Sequence, residues 1–215
     1  MSKKFDVVVV GGGVSGSFSA LTAAKLGLEV AVCEEHREIG VPPHCAGHVS
    51  LSGLKLVGLQ LPNNIVENEF KGAVFYSPFG RKFEVRLPSP VTCVVNRELL
   101  DKHLANLAEK AGAHYLLESR AESFLADPNF VKEVVIRRRG AKEALMSNLV
   151  IDAEGCGSLL LKKAGLQTLD RSMTVHAIQA EVDRVKEMNM DTVEVYLGRK
   201  YAQASSRGSY PKGKT

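Results

Sequence analysis

The chain has 215 residues, of which 45% are apolar and 24% charged, a composition typical of globular proteins rather than disordered ones. The net charge of +4 is a small excess of 28 basic over 24 acidic residues, and tryptophan is absent, so we expect no nucleic-acid partner. The longest strictly apolar run has four residues, whereas a membrane-spanning helix needs about 20. We therefore expect no transmembrane segment, and no signal peptide at the start.

The first elements form a strand–helix–strand unit. Residues 5–10 are a short valine-rich run that ends in three glycines, which predicts a buried strand and a turn. Helical spacing of apolar residues continues to Gly27, and residues 28–33 predict a second strand. The unit has about 30 residues, the size of a βαβ crossover, so the two strands should be parallel.

Further elements follow in the rest of the chain. Strands are predicted at residues 73–76, 83–87, 114–117, 131–139, 143–147, 149–151, 174–182 and 193–197, with helices at 52–59, from Asn96 to Gly112, and up to about Gly165. Residues 83–87 alternate as a half-buried strand should, and residues 131–139 and 143–147 predict a hairpin. The stretch 204–215 is polar and shows no periodicity.

Three glycines carry the strongest functional signal. Gly11, Gly13 and Gly16 form a GxGxxG pattern between strand and helix. Glu34 follows 23 residues after the first glycine, at the end of the second strand. This context is typical of dinucleotide binding: the glycines permit a tight turn, a close pyrophosphate and close helix packing, and the acid accepts hydrogen bonds from a ribose. The alternative is a tight turn that binds no ligand.

Glu34 also limits the dinucleotide. A 2′-phosphate about 4 Å from its carboxylate would cost roughly 4 kcal/mol per charge pair. NADP is therefore disfavoured at this site, whereas FAD and NAD both fit.

Two further positions follow the same chemical logic. Arg97, at the start of a helix, could reach a phosphate, although an ordinary surface arginine is the alternative. Gly155 lies in a strand-to-helix turn at residues 152–158 that repeats the arrangement of the first motif. A simple connection without a ligand is the alternative there.

His44, Cys45 and His48 lie within five residues and suggest a zinc site. Zinc takes four ligands and the sequence has no second cluster, so we expect no metal. We interpret the segment as a loop that touches a cofactor or substrate. The four cysteines are spread over the chain, and we interpret them as reduced thiols of a cytoplasmic protein.

Taken together, these segments resemble the FAD-dependent geranylgeranyl reductase family, especially archaeal digeranylgeranylglycerophospholipid reductases. The segments that carry the resemblance are residues 6–16, Glu34 with 37–40, 45–50, 96–97, 151–155 and 210–214. The first motif and residues 151–155 are shared with many flavoprotein hydroxylases, whereas the loop at Cys45 and the Tyr-Pro-Lys-Gly segment are more specific to the reductases.

The resemblance implies a non-covalent FAD and a set of contacts to it. Implied contacts are Ser15 at the pyrophosphate, Glu34 at the adenosine ribose, Cys45, Ala46 and the backbone near His48 along the flavin, Arg97 at the phosphates, and the backbone of Ala121 at adenine. Cys45 is the one side chain that the resemblance implies near the reacting centre. Position 48 is His where the family usually has Gly, and position 154 is Glu where Asp is usual.

The family reduces isolated C=C bonds of isoprenoid chains. The resemblance therefore implies an isoprenoid lipid substrate, an external electron donor such as NAD(P)H or a ferredoxin-like protein, and peripheral contact with a membrane. Alternatives are another flavoenzyme of the same fold, such as a quinone-linked dehydrogenase or an aromatic hydroxylase, or an inactive FAD-binding fragment.

The expected fold is α/β, a Rossmann-like FAD-binding domain with a mostly parallel sheet and helices on both faces, interrupted by a β-rich substrate domain. Residues 1–50 and 91–167 are assigned to the FAD-binding domain, and residues 51–90 and 168–215 to the substrate domain. The family's second FAD motif is not found, so we expect a C-terminally truncated chain and an incomplete substrate domain.

Overall fold

The structure is a computed structural model that describes residues 3–127, 130–168, 170, 174–175, 177–182, 188–199, 206–209 and 211. Two compact units are present. The first comprises Met1–Pro43 and Glu98–Met173, and the second comprises His44–Arg97 and Thr174–Thr215. None of the helices in the described ranges is both long and apolar enough to cross a membrane.

Besides a short 3-10 helix at Gly155–Gly157, the described elements are thirteen strands and four α-helices. In chain order they are β1 (Lys3–Val10), α1 (Val14–Lys25), β2 (Val30–Cys33), β3 (His48–Ser50), α2 (Leu51–Leu56), β4 (Val66–Phe70), β5 (Gly72–Tyr76), β6 (Lys82–Arg86), β7 (Thr92–Val95), α3 (Arg97–Lys110), β8 (His114–Leu116), β9 (Ser119–Asp127), β10 (Phe130–Arg138), β11 (Ala141–Asp152), α4 (Leu159–Lys163), β12 (Thr192–Leu197) and β13 (Ser206–Ser209).

The first unit is built on a six-stranded sheet in the order β8-β2-β1-β11-β10-β9. Strands β8, β2, β1 and β11 are parallel, and β10 and β9 add an antiparallel hairpin at one edge. The predicted parallel strand–helix–strand unit is therefore confirmed, with Val7 opposite Val30. A right-handed crossover through α1 is the expected connection for such a pair.

The valines of β1 alternate between two cores. Val7 and Val9 pack with the small residues of α1 and with Ala108 of α3, whereas Val8 and Val10 pack on the other face with Leu160 of α4. Each fully buried valine contributes roughly 1.5–3 kcal/mol of hydrophobic stabilisation. The sheet is thus covered by helices on both faces, as predicted.

The second unit contains two smaller sheets. One has the order β3-β7-β4 and the other β13-β12-β5-β6, in which β12 and β5 are parallel. Phe70 and Val94 of the first sheet pack with Val193 of the second. These contacts form the apolar centre of the unit.

The strands predicted at residues 143–147 and 149–151 form one continuous strand, β11, because its two halves pair with different neighbours. Residues 141–146 pair with β10 and residues 145–152 pair with β1, and the two sets overlap at Leu145 and Met146. Strand β9 was not predicted, since polar Ser119, Arg120, Glu122 and Ser123 interrupt its apolar pattern. Pairing with β10 determines its conformation instead.

Three predictions in the second unit are wrong. The described residues 174–175 and 177–182 form no strand, and Ile178 there is 99% exposed. Strand β6 exists, but its residues are exposed rather than half-buried, with Phe83 at 59%. Strand β13 lies in the polar stretch that predicted no element, because its backbone pairs with β12 whatever its side chains.

The two units divide at other positions than the predicted domains. Residues 44–50 and 91–97 fall in the second unit because β3 and β7 pair with each other, with Val49 opposite Cys93, in the same sheet as β4. The assignment of one unit to the cofactor and the other to the substrate stays a prediction.

Candidate dinucleotide-binding site

The glycine turn between β1 and α1 leaves no room for side chains at two of its positions. Gly11 has a φ of +100°, and a Cβ there would lie 2.3 Å from the carbonyl oxygen of Ala153. A Cβ on Gly16 would lie 1.8 Å from the carbonyl oxygen of Gly11. Both distances are far below van der Waals contact, so the tight turn and the close packing of α1 require glycine.

Gly13 is different, because a Cβ there would meet no other described atom within 4 Å. Helix α1 begins at the next residue, Val14, and has no acidic residue in its first turn. Ser15 is exposed in that turn. The backbone N–H groups and the positive end of the helix dipole therefore face open space, which fits an anionic pyrophosphate.

Glu34 lies at the end of β2 and is buried. Its Oε2 accepts a hydrogen bond from the N–H of Gly12 at 2.7 Å. Its Oε1 accepts the backbone N–H of His36 at 2.9 Å and lies 2.6 Å from His36 Nδ1. Oε1 thus has two partners on His36, whereas Oε2 keeps a further lone pair that can accept a hydrogen bond from a ribose hydroxyl.

Ala121 follows a segment that runs beside Glu34. The N–H of Glu34 donates to Leu116 O at 3.0 Å, and the N–H of Ser119 donates to Glu34 O at 2.7 Å. The Ala121 side chain is buried in the core of the first unit, opposite Ile136 of β10. The geometry places this backbone near the proposed ribose acceptor, and its contact with adenine stays a prediction.

The turn that contains Gly155 lies next to the glycine turn. The N–H of Ala153 donates to Val10 O at 2.8 Å. Glu154 Oε1 accepts the N–H of Leu160 at 2.7 Å and so caps α4, and Gly155 has a φ of +68°. Strand β1 has a parallel neighbour on each side, β2 and β11. In α/β folds, ligands bind in a crevice at the carboxyl ends of such strands, where both turns lie.

Cys45, Ala46, His48 and Arg97 lie in the second unit, at the ends of β3 and β7. The turn before β3 requires glycine at position 47, because Gly47 has a φ of +81° and an added Cβ would lie 2.1 Å from Val95 O. Cys45 is exposed, and its Sγ accepts the N–H of Gly47 at 3.5 Å.

His48 is held against the same small sheet. Its Nε2 lies 2.7 Å from Thr92 Oγ1, and its ring meets Phe70 edge-on at 5.6 Å. Partial burial lowers its pKa from the ordinary value. The pairing of β3 with β7 therefore brings the loop of Cys45 and Ala46, and His48 at the start of β3, close to Arg97 at the start of α3.

Sequence reasoning missed several polar groups around the glycine turn. Ser17 Oγ donates to Gly12 O at 2.9 Å, and Tyr115 OH donates to Ser17 Oγ at 2.8 Å. His36 is the partner of Glu34. One signal was available: Ser17 is a polar residue on the face of α1 that otherwise carries alanine and leucine.

Comparisons with known proteins agree with this geometry. The sequence model of the FAD dependent oxidoreductase family matches residues 6–204. Digeranylgeranylglycerophospholipid reductase 2 of Methanothermobacter thermautotrophicus is 36% identical over 98% of this chain and 54% of its own length. The digeranylgeranylglycerophospholipid reductase of Thermoplasma acidophilum is 33% identical over 97% of this chain and 54% of its own length. The chain thus spans about half the length of these curated relatives.

Solved structures give the same picture. A geranylgeranyl bacteriochlorophyll reductase-like protein from Thermoplasma acidophilum has a TM-score of 0.83 at 31% identity, over 99% of this chain and 55% of its own. The p-nitrophenol 4-monooxygenase of Pseudomonas putida has a TM-score of 0.66 at 20% identity, over 78% of this chain and 45% of its own, and shows the fold alone.

FAD fits the residues present, because the glycine turn, the free end of α1 and Glu34 match the pyrophosphate and ribose of its adenosine half. With a family match that covers most of its length, this chain belongs to the FAD dependent oxidoreductases.

Proposed function

We propose that this chain is the FAD-binding part, with a portion of the substrate region, of a reductase that saturates C=C bonds of isoprenoid chains in archaeal-type membrane lipids. The supporting observation is the extent of the likeness. Relatives named as reductases match 97–99% of the chain, including the second unit. Halogenase and hydroxylase-type structures match 74–78%.

Residues of the first unit hold the adenosine half of the cofactor in this proposal. The N-terminus of α1, with Gly13 and Ser15, binds the pyrophosphate, and Glu34 accepts hydrogen bonds from the ribose. Arg97 is proposed to contribute a positive charge to the phosphates, as the resemblance implies. Bound FAD supplies the hydride chemistry, and the protein supplies orientation and exclusion of water.

Cys45 is the side chain that we place near the reacting centre. It is exposed, and its loop is fixed by the Gly47 turn and by a hydrogen bond from Gly47. Ala46 and the backbone at His48 line the flavin beside it. The isoprenoid substrate is part of a membrane lipid, so the protein docks at a membrane surface and receives electrons from NAD(P)H or a ferredoxin-like donor.

The test is reconstitution of the full-length protein that contains this chain with FAD, dithionite as reductant, and a geranylgeranylated glycerophospholipid in vesicles. The proposal predicts lipid products whose mass increases by two hydrogens for each reduced bond. A full-length protein that binds FAD and takes up electrons but leaves every double bond intact contradicts the substrate assignment. Oxygen consumption with NADPH and an aromatic substrate would instead identify a hydroxylase.

A further inference from the structure

Both backbone polar groups of Gly12 are hydrogen-bonded to side chains. Its N–H donates to Glu34 Oε2 at 2.7 Å, and its carbonyl oxygen accepts the hydroxyl of Ser17 at 2.9 Å. A Cβ at this position would lie 2.7 Å from Ile39 Cδ1. The GxGxxG pattern leaves position 12 unspecified, yet this residue connects the turn to the ribose acceptor.

The hydrogen-bond chain continues from Ser17 to Tyr115. The phenol donates to Ser17 Oγ at 2.8 Å, and Ser17 is fully buried. Tyr115 of β8 lies opposite Val32 of β2, two residues before Glu34, so its side chain lies near the start of α1, where Ser17 is found. The tyrosine ring packs against the core formed by α1 and α3.

The direction of these hydrogen bonds indicates what the connection from Tyr115 through Ser17 to Gly12 does. A serine hydroxyl has one proton, and because Ser17 accepts from Tyr115, its own proton points to the carbonyl of Gly12. Consecutive hydrogen bonds of this kind polarise and strengthen one another. The phenol therefore fixes the serine, the serine fixes the carbonyl group of Gly12, and the backbone of Gly12 holds Glu34 through its N–H.

We propose that Tyr115 and Ser17 are positioning residues of the dinucleotide site, which hold the backbone of Gly12 in the conformation that presents Glu34 and the N-terminus of α1 to the adenosine half of FAD. Neither side chain needs to touch the cofactor. The proposal concerns cofactor binding and is independent of the isoprenoid assignment.

The test compares Tyr115→Phe, Ser17→Ala and the double variant with the unaltered chain. Tyr115→Phe keeps the packed ring and removes only the hydroxyl. Tyr196→Phe is the matched control, since it removes a tyrosine hydroxyl that donates at 2.7 Å to Glu194 in the second unit. Amide hydrogen exchange of residues 11–17 is measured without FAD, and FAD affinity is measured by flavin fluorescence.

We expect Tyr115→Phe to speed exchange of the Gly12 amide about fivefold, and to weaken FAD binding by about the same factor, as the loss of one buried hydrogen bond would. The double variant should behave like Ser17→Ala alone, because Tyr115 acts on Gly12 only through the hydroxyl of Ser17. Tyr196→Phe should leave both measurements unchanged.

Unchanged exchange at Gly12 in Tyr115→Phe would overturn the proposal, as would additive effects in the double variant. The exchange measurement decides the question whether or not the chain retains FAD. Neither readout involves an isoprenoid, so a failure here is distinct from a failure of the reductase assignment.

Discussion

Gly16 and Gly11 are in contact across the turn, and a Cβ on Gly16 would lie 1.8 Å from the carbonyl oxygen of Gly11. Gly13, between them in the chain, has an open side. Gly16 and Gly13 therefore serve different purposes in the same motif. Gly16 allows helix α1 to approach strand β1, and Gly13 leaves space at the start of the helix for a ligand.

Alanine at positions 16 and 13 should consequently affect different properties, the stability of the fold and the affinity for FAD. Gly16→Ala is expected to destabilise the fold by about 1–3 kcal/mol through overpacking. Gly13→Ala should leave the free energy of unfolding almost unchanged and weaken FAD binding. Urea unfolding and FAD titration of both variants check this, and equal loss of stability in the two would contradict it.

Glu34→Gln removes the charge but keeps the shape of the ribose acceptor. We expect the dissociation constant of FAD to rise about tenfold, because hydrogen bonds to a charged acceptor are worth more than neutral ones. Flavin fluorescence measures the affinity.

Glu35→Gln is the control for that variant, since Glu35 is exposed and only forms a surface ion pair with Arg120 at 3.5 Å. Such pairs contribute little to stability. If Glu34→Gln and Glu35→Gln weakened FAD binding equally, a general loss of negative charge would explain the result and Glu34 would have no special role.

Stability should depend on the ionisation of Tyr115 at high pH. Burial raises the pKa of its phenol to about 12, above the ordinary value of about 10. The neutral form is favoured in the folded chain, so the stabilisation is fully present below about pH 10 and is lost as the pH rises towards 12.

Tyr115→Phe isolates this contribution from those of other groups. Burial also raises the pKa of the Cys33 thiol to about 12 and that of Cys93 to about 11, so the unaltered chain loses stability for several reasons. We expect the stability difference between chain and variant, measured by urea unfolding, to shrink from about pH 9 to about pH 11. A difference that stays constant with pH would show that ionisation of Tyr115 does not contribute to this loss of stability.

In the full-length protein that contains this chain, Cys45→Ala should lower the rate of double-bond reduction while FAD affinity stays the same, because the thiol lies in the loop that we place at the flavin. Ser52→Ala is the matched control, since it also removes one small polar atom from an exposed residue of the second unit, but in helix α2. Product analysis by mass spectrometry gives the rates. Equal rates for Cys45→Ala and the unaltered protein would remove Cys45 from the proposed centre.

The first unit was predictable because local signals and long-range pairing agree there. The valines of β1, the glycine spacing and the position of Glu34 all indicate one βαβ unit, and the parallel pairing of β1 with β2 confirms it. Strand β9 lacked such a local signal, since its pairing with β10 determines it. Residues 174–182 show the converse: Val175, Ile178 and Val182 alternate in part with polar residues but are exposed.

The site was predictable only where a motif specifies it. Glycine spacing indicated Gly11, Gly13 and Gly16, but no pattern specifies the residues that hold the turn in place. Tyr115 lies 98 residues from Ser17 in the chain. The register of β8 against β2 and the packing of α1 on the sheet bring them together. Contacts of this kind follow from the sheet and are not visible in the sequence.

The central claim is that this chain carries the adenosine-binding half of an FAD site. Its most direct test is to incubate the purified chain with FAD, remove free flavin by gel filtration, and record the visible spectrum of the protein peak. We predict a yellow protein with stoichiometric flavin, and a Gly13→Ala variant that retains much less. A folded chain that elutes without flavin, or a Gly13→Ala variant that retains as much, would contradict the claim.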